Sequence, residues 1–395
     1  MSMAYEEDSL DVELERKKTE YVGIEYEVES EESEDEVYAE KHFDAEKIRV
    51  DQQMLSVKYM LELMEAGMIE LNPGYQRRNV WKDNKRKSLL IESLMLRIPI
   101  PAFYFYENED GTYQVIDGQQ RLATIREFVK GKFRLIGLEY LGEDYNKKEF
   151  KDLDTKYTQR IYRTQIAVNI LDARSPKKVI YDIFRRVNTG GVNLNHQEMR
   201  NAICKQEVRD FLVKSTQNQN YLFATRGKIK DDRMDSQEMA LRFYAFYRAY
   251  DYKEEMLHYE YPNVAEMLDD AIEDLNKMKY DERNRLYQRF DEAMKRCFRA
   301  FGEFCFSKVQ MGSSGVKRNL DYINKSLFTS YSILLMHSRY DEVNIEKYQG
   351  RLLRTLARAL ENHLYSNCLT MGTGARRNVY LNFEFSKGVL EECLK

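Results

Sequence analysis

The stretch Tyr113–Phe128, YQVIDGQQRLATIREF, decides how the first half of this chain folds. Its first four residues, YQVI, are rich in β-formers, which predicts a short strand. Gly118 then permits a tight turn, and apolar residues return at helical spacing, which predicts a helix from about Gln120 to Val129. The stretch is therefore a strand, a turn and a helix in direct succession, as expected of a domain that mixes both element types.

Similar short elements flank this stretch. The patterns predict strands at 68–71, 103–106, 133–138 and 166–171, and helices at 57–64, 82–96 and 177–187. Beyond Asn195 the pattern is helical nearly to the end, with helices predicted at 196–213, 236–250, 263–279, 283–306, 322–336 and 345–365. The fold class that follows is α+β, with an α/β domain at 45–195 and a larger all-α domain at 196–395.

The chain begins with an acidic segment, residues 1–44, which contains too few apolar side chains to order itself. Residues 1–40 carry 16 acidic and 3 basic residues, whereas 41–395 carry 50 acidic and 59 basic residues. An N-terminal tail with a net charge of −13 thus precedes a body with a net charge of +9. The basic body favours a nucleic-acid partner, because neutralised phosphates supply most non-specific affinity. A merely solvated surface is the alternative.

Composition excludes several classes of protein. No apolar run is long enough for a membrane span, and the N-terminal residues lack the apolar core of a secretory signal. Five cysteines are scattered without a C-x-x-C pair, and five histidines are equally dispersed. This pattern is typical of reduced thiols and predicts neither a disulfide framework nor a zinc site. We therefore expect a soluble, cytoplasmic protein without a membrane partner.

The turn at Asp117-Gly118-Gln119-Gln120-Arg121 has the chemistry of an anion site. Unpaired amides and the positive dipole end at the start of a helix attract phosphate. Arg121 adds a fork of donors suited to phosphate oxygens, and Asp117 can hold a divalent metal or orient a water. The structural alternative is that Asp117 is an ordinary N-cap and Arg121 a surface residue.

Two further segments carry weaker signals for a ligand. In the loop that ends at Trp81, an arginine can contact phosphate while an aromatic ring stacks on a base, although Trp81 is better explained as a core anchor of the next helix. In 184–191, FRRVNTGG, Thr189 and two glycines form an amide-rich loop, or simply a helix end. The segment from Arg233 to Arg242 resembles a capping box and is interpreted as structural.

Taken together, these motifs resemble the N-terminal domain family of GmrSD-type restriction endonucleases, which is related in fold to ParB and sulfiredoxin. The resemblance rests on YQR and VW at 75–81, LIESLMLRIPIP at 90–101, VIDGQQRLATI at 115–125, IFRRVNTGGVNLNHQEMRNAI at 183–203 and RMDSQEMALRF at 233–243. INKSLF at 323–328 and MGTGARRN at 371–378 extend it, so that it covers about 45 to 385.

The resemblance implies a ParB/sulfiredoxin-like domain that binds a nucleoside triphosphate with Mg²⁺. It assigns the nucleotide to Asp117, Gly118, Gln119, Gln120 and Arg121. From the chemistry of these side chains we predict Asp117 as the metal ligand, and Asp117 and Arg121 as the catalytic residues. The positions Tyr75, Gln76, Arg77 and Asn188 match the other nucleotide-binding loops of the family.

The function that the resemblance implies is triphosphate hydrolysis coupled to DNA in restriction or anti-phage defence. The chain lacks a recognisable HNH nuclease motif, since His337 and His363 stand singly in helical patterns. A nuclease partner, or a homo-oligomer, therefore fits the pattern as well. Two alternatives stay open: a non-catalytic, nucleotide-responsive module that binds DNA or a partner protein, and a DNA nickase built on Asp117 and Glu198.

Overall fold

The chain forms two compact units. The computed structural model describes residues 24–25, 49–71, 81, 83–108, 110–172, 174–175, 180, 183, 195–231, 233–318, 321–341 and 343–394. One unit, the sheet unit, is Phe43–Ile203, and the other, the helical unit, contains Cys204–Lys395 together with Ile24–Glu25. The predicted α+β class is confirmed, since one unit holds a mixed sheet and the other is mainly helical.

The elements up to residue 203 are, in chain order, β1 (Ile24–Glu25), β2 (Val50–Ser56), α1 (Val57–Glu65), β3 (Ile69–Glu70), α2 (Asn84–Leu96), β4 (Phe103–Glu107), β5 (Tyr113–Asp117), α3 (Gln119–Val129), α4 (Gly142–Tyr145), α5 (Thr155–Arg163), β6 (Gln165–Leu171) and α6 (His196–Ile203). The later ones are α7 (Gln206–Thr216), α8 (Gln219–Ala224), α9 (Asp235–Ala249), β7 (Tyr250–Asp251), β8 (Met256–Leu257), α10 (Val264–Lys277), α11 (Tyr280–Phe301), β9 (Val309–Gly312), β10 (Gly315–Arg318), β11 (Ile323–Asn324), α12 (Lys325–Leu334), α13 (Gln349–Ala359), α14 (His363–Cys368) and α15 (Arg376–Leu394).

The sheet unit is built on a mixed sheet with strand order β2-β6-β4-β5-β3. The strand β4 pairs in parallel with β6 and antiparallel with β5, while β3 runs parallel to β5. Phe103, Phe105 and Val115 project from β4 and β5 into a buried core that also holds Ile91 and Ile125 from the helices. This packing fixes the end of β5 against the start of α3, which is where the sequence predicts the anion site.

The strand predicted at 133–138 is wrong, because its backbone hydrogen-bonds to a nearby loop and to α2 instead of to another strand. The amide of Leu135 donates to the carbonyl of Lys148 at 3.0 Å, and the amide of Lys147 donates to the carbonyl of Leu135 at 2.6 Å. The hydroxyl of Ser88 accepts from the amide of Ile136 at 2.9 Å. The carboxylate of Glu92, 3% exposed, accepts from the amides of Glu139, Tyr140 and Leu141 at 3.0, 2.8 and 2.8 Å. The segment is thus an extended loop pinned to a helix, with Leu135 and Phe133 in the core.

The helical unit surrounds one apolar cluster that includes Leu212, Phe243, Phe290 and Leu327. The single helix predicted at 196–213 is wrong. Lys205 adopts extended angles (φ −62°, ψ 152°) and begins α7 as its N-cap. Its amide donates to the side chain of Asn276 at 2.9 Å instead of to a helical carbonyl, so the helix breaks there.

Three predictions concern the chain as a whole. Ile24 and Glu25 lie in the segment predicted to be disordered, and they form β1, which pairs in parallel with β11. The rest of 1–44 and most of the predicted helix 177–187 lie outside the described residues. All five cysteines are buried free thiols. No helix in the described part of the chain has both the length and the apolarity of a membrane span.

Candidate functional site

Asp117 is the last residue of β5, at the point where the ladder with β4 loses its regular register. The register shifts between Tyr104 and Phe105, and Tyr104 is paired with Asp117. The side chain of Asp117 is 31% exposed. The strand therefore delivers a carboxylate to its carboxyl end, as the sequence predicts, and leaves it partly open to solvent.

Gly118 makes the turn from β5 into α3, and only a glycine fits there. It is the N-cap of α3 with φ 98° and ψ 1°. An added Cβ would lie 2.7 Å from Cδ1 of Phe103, closer than real Cβ atoms come to other atoms. No side chain caps α3. The alternative in which Asp117 is the N-cap is therefore wrong, and the first-turn amides of Gln119, Gln120 and Arg121 have no partner within the helix.

Arg121 lies against the loop before β4 and is largely buried. Its Nη2 donates to Oδ2 of Asp117 at 2.7 Å and to the carbonyl of Ala102 at 3.2 Å, and its Nη1 donates to the carbonyl of Pro101. Its guanidinium carbon lies 4.7 Å from the ring centroid of Phe103. Burial lowers the pKa of Arg121, while Asp117 acts in the opposite direction.

These contacts use some, but not all, of the N–H donors of the guanidinium. A guanidinium has five N–H donors, and three of them are used by Pro101, Ala102 and Asp117. The other two donors, on Nε and Nη1, have no hydrogen-bond partner among the described residues. Arg121 therefore has a structural role, which the sequence alternatives did not include.

The two glutamines of the motif differ in their surroundings. Gln119 is 8% exposed, and its Nε2 donates to the carbonyl of Val115 at 3.0 Å. Its Oε1 is buried and accepts no hydrogen bond. Gln120 is half-buried at the start of α3. Gln119 thus ties the helix back to β5, and Gln120 contributes its amide to the open helix end.

The remaining predicted positions divide into those outside the described residues and those with a structural role. Tyr75, Gln76, Arg77 and Asn188 lie outside the described residues. Trp81 is half-buried against the core of the sheet unit, and the guanidinium carbon of Arg86 lies 4.5 Å from its ring centroid. These contacts support the interpretation of Trp81 as a core anchor.

Glu198 forms a reciprocal cap at the start of α6. Its carboxylate accepts from the amide of Asn195 at 2.8 Å, and its own amide donates to the side chain of Asn195 at 2.7 Å. This is a helix-capping arrangement, which gives Glu198 a structural explanation. The residues that the structure describes include no cluster of three or more His, Cys, Asp or Glu side chains suited to a metal ion.

The segment from Arg233 to Arg242 is structural, although it is not the predicted capping box. The N-cap of α9 is Met234, whose φ is 61°, and Asp235 is the first helical residue. Glu238 forms ion pairs with Lys325 at 2.9 Å and with Arg242 at 3.5 Å. Burial raises the pKa of Asp235 to about 6.

Two polar side chains of α2 have structural roles that were not predicted from the sequence. Lys87, which is 7% exposed, forms an ion pair with Glu127 of α3 at 2.8 Å. Glu92 accepts hydrogen bonds from the loop at 139–141. The sequence feature that could have indicated this role is the presence of an acidic residue within the apolar run LLIESLML. A buried charge without partners costs free energy. A charged residue on the buried face of a helix is therefore expected to bind groups of another segment and to fix that segment in place.

The chain matches none of the curated proteins and none of the solved structures with which it was compared. Residues 57–205 match the family model of the GmrSD restriction endonuclease, N-terminal domain. That span runs from the start of α1 to just beyond α6, and the motifs at 233–243, 323–328 and 371–378 lie outside it. Residues 57–205 of the chain are therefore similar to the GmrSD restriction endonuclease N-terminal domain family.

Proposed function

We propose that this chain binds and hydrolyses a nucleoside triphosphate at the junction of β5 and α3, and engages DNA in restriction or anti-phage defence. The observation that carries the proposal is the uncapped start of α3 between Asp117 and Arg121, within a domain of a restriction-endonuclease family. A partly exposed carboxylate, first-turn amides and an arginine at one turn are groups of the kind that triphosphate chemistry uses.

Phosphate binding is assigned to the first turn of α3. The amides of Gln119, Gln120 and Arg121 point out of the helix start, where the helix dipole also favours negative charge. The unused Nε and Nη1 donors of Arg121 add charge-assisted hydrogen bonds, which are stronger than neutral ones. The turn thus offers backbone and side-chain donors to the same anion.

Asp117 makes the site dependent on a cation. A carboxylate beside a phosphate repels it, and Mg²⁺ is commonly held by one or two carboxylates together with phosphate oxygens of the substrate. When bound, the metal would neutralise charge that develops on the transferred phosphoryl group. The residue Asp117 fits this role as a single ligand, and Arg121 supports the phosphate from the other side of the turn.

DNA engagement is supported by charge and by the family match. Residues 41–395 carry a net charge of +9, and the matched family is a restriction endonuclease family. We propose that a nuclease partner acts together with this chain. Hydrolysis by this chain would then license cutting by that partner.

The test is calorimetric binding of the four ribonucleoside triphosphates with Mg²⁺, followed by phosphate release with and without DNA. We compare wild type with Arg121→Ala and Asp117→Asn, and with Arg134→Ala as the matched control. Arg134 is an exposed arginine of the same unit that pairs with Glu149. Loss of binding in Arg121→Ala, with Mg²⁺ dependence lost in Asp117→Asn, is the expected result. Equal affinity in all four proteins contradicts the site.

Thermal melting must accompany these measurements. Arg121 bonds the carbonyls of Pro101 and Ala102, so its truncation also removes structural contacts. A variant that melts well above the assay temperature and still fails to bind identifies a ligand role. A variant that is unfolded in the assay does not enter the comparison, and Asp117→Asn then carries the test, because Asn can still accept from Arg121.

A non-catalytic, nucleotide-responsive module is the second candidate, and one observation favours it. Asp117 and Arg121 form an ion pair at 2.7 Å, so each is engaged by the other before any ligand arrives. Nucleotide binding that opens this pair can change the surrounding loop without turnover. Single-turnover incubation with Mg²⁺ separates the two candidates, since only the enzyme releases phosphate.

A further inference from the structure

A pocket lies in the sheet unit, at the end of α3 opposite the turn at Asp117. It has a volume of about 800 Å³ and is bordered by α1, α3 and α5. Arg126, Val129 and Lys130 line it from the last turn and the end of α3. Because α3 has 11 residues and a helix rises 1.5 Å per residue, the two ends lie about 16 Å apart. The pocket is therefore separate from the proposed triphosphate site.

The pocket contains positive charge that its own walls do not neutralise. Lys58 and Lys130 each face a glutamate, Glu62 at 3.7 Å and Glu65 at 3.3 Å. Arg126 and Arg163 also line the pocket, and neither guanidinium has a hydrogen-bond or ion-pair partner within the described part of the chain. Two guanidinium groups in one cavity are suited to a phosphate or another compact anion.

The other lining residues indicate what else the ligand carries. Leu61, Val129 and Tyr162 give the pocket an apolar part that continues into the core of the sheet unit. Glu62 and Glu65 are acceptors for hydroxyl groups, and they would repel a continuous polyanion such as a nucleic-acid backbone. The volume lies within the range of small-molecule sites.

We propose that this pocket binds a small phosphorylated polyhydroxyl ligand, with the phosphate on Arg126 and Arg163 and hydroxyl groups on Glu62 and Glu65. The site does not depend on the triphosphate site. It is joined to that site by α3, whose first turn belongs to one and whose last turn belongs to the other. Occupancy of the pocket can thus act on the position of α3.

The test uses ribose 5-phosphate as the probe and ribose as its uncharged counterpart, measured by calorimetry without nucleotide. Wild type should bind ribose 5-phosphate more tightly than ribose. Arg126→Gln combined with Arg163→Gln should weaken the binding of ribose 5-phosphate by about tenfold or more, because charged hydrogen bonds are removed. Arg134→Gln, outside the pocket, and Arg121→Ala, at the triphosphate site, should retain binding.

A second variant tests the cavity without changing its charge. Gln159 is an exposed residue that lines the pocket. Gln159→Trp should fill part of the pocket and weaken the binding of ribose 5-phosphate while the fold stays intact. Arg126 is in the last turn of α3, where a cation also stabilises a helix, so melting temperatures are compared. The proposal is overturned if wild type does not bind ribose 5-phosphate, if both pocket variants bind it normally, or if binding is lost only in Arg121→Ala.

Discussion

At the scale of single residues, Gly118 connects backbone geometry to the site. Its φ of 98° lies in the left-handed region, and Cγ and Cδ1 of Phe103 fill the space where a Cβ would stand. The same Phe103 ring lies under Arg121 at 4.7 Å. A side chain at Gly118 would therefore displace the ring and disturb the arginine that the ring supports.

We expect Gly118→Ala to lower the free energy of unfolding by about 2–4 kcal/mol, from left-handed strain together with overpacking. Gly67→Ala is the matched control, because Gly67 has φ 74° but no atom within 4 Å of an added Cβ. It should lose only about 1–2 kcal/mol. Urea denaturation of both variants measures the difference, and equal losses would show that Phe103 moves aside without strain.

Asp235 gives a prediction that depends on pH. Burial raises its pKa from 3.8 to about 6, so the folded state holds this proton more tightly than the unfolded state does. The stability that the proton contributes is present below pH 3.8 and is lost as the pH rises through 6. At pH 7 we expect Asp235→Asn to be more stable than wild type by up to about 3 kcal/mol.

Melting temperatures measured between pH 4 and pH 7 test this prediction for Asp235. The difference between Asp235→Asn and wild type should shrink towards zero near pH 4, where the wild-type carboxyl is neutral. Asp210→Asn, at an exposed position on α7, should show no comparable pH dependence. A constant difference across the range would mean that lost hydrogen bonds, and not charge burial, set the effect.

At the scale of elements, α2 organises the sheet unit through Glu92. Its carboxylate accepts from three consecutive amides at 139–141. We expect Glu92→Ala to lower the free energy of unfolding by about 2–3 kcal/mol, because partly buried donors lose a charged acceptor. Glu92→Gln keeps one acceptor oxygen and should lose less.

Hydrogen exchange gives the local readout for this prediction. The amides of Glu139, Tyr140 and Leu141 should exchange faster in Glu92→Ala and to an intermediate extent in Glu92→Gln. The amide of Ile136, held by Ser88, serves as the internal reference in the same loop. Unchanged exchange at 139–141 would show that other groups hold the loop.

Strong periodic patterns made part of this fold predictable. Val57–Glu65, Phe103–Glu107, Tyr113–Asp117 and Gln119–Val129 lie within two residues of their predicted bounds. The strand β2 gave no signal, because most of its residues are exposed and its sequence, VDQQMLS, does not alternate. The loop at 133–138 has the sequence of a strand, but the amide of Ile136 bonds to the side chain of Ser88, which is distant in sequence.

The position of the candidate site along the chain could be predicted from the sequence, but the contacts of its side chains could not. The strand, the turn at Gly118 and the helix start follow from local sequence. The bonds from Arg121 to Pro101 and Ala102 join residues that are 20 and 19 positions apart. No local pattern reports such contacts, because they depend on how β4 and α3 pack.

At the scale of the whole molecule, the distribution of charge sets the expected behaviour with DNA. The acidic residues of 26–40 follow directly after β1, which pairs with β11 of the helical unit. Deleting the N-terminal residues would also remove β1, so neutralisation is the cleaner change. Replacing the eight Asp and Glu residues of 26–40 by Asn and Gln shifts the net charge from −4 to +4.

If this segment competes with DNA for the basic body, the neutralised protein should bind duplex DNA about tenfold more tightly at low salt. The gain should shrink as salt rises, because screening weakens both the competition and the binding. A protein with the order of 26–40 scrambled but its charge kept should behave like wild type. If neutralisation leaves the affinity unchanged and lowers solubility instead, the segment only solubilises the chain. Fluorescence anisotropy across a salt series distinguishes the two, because only competition changes the DNA affinity.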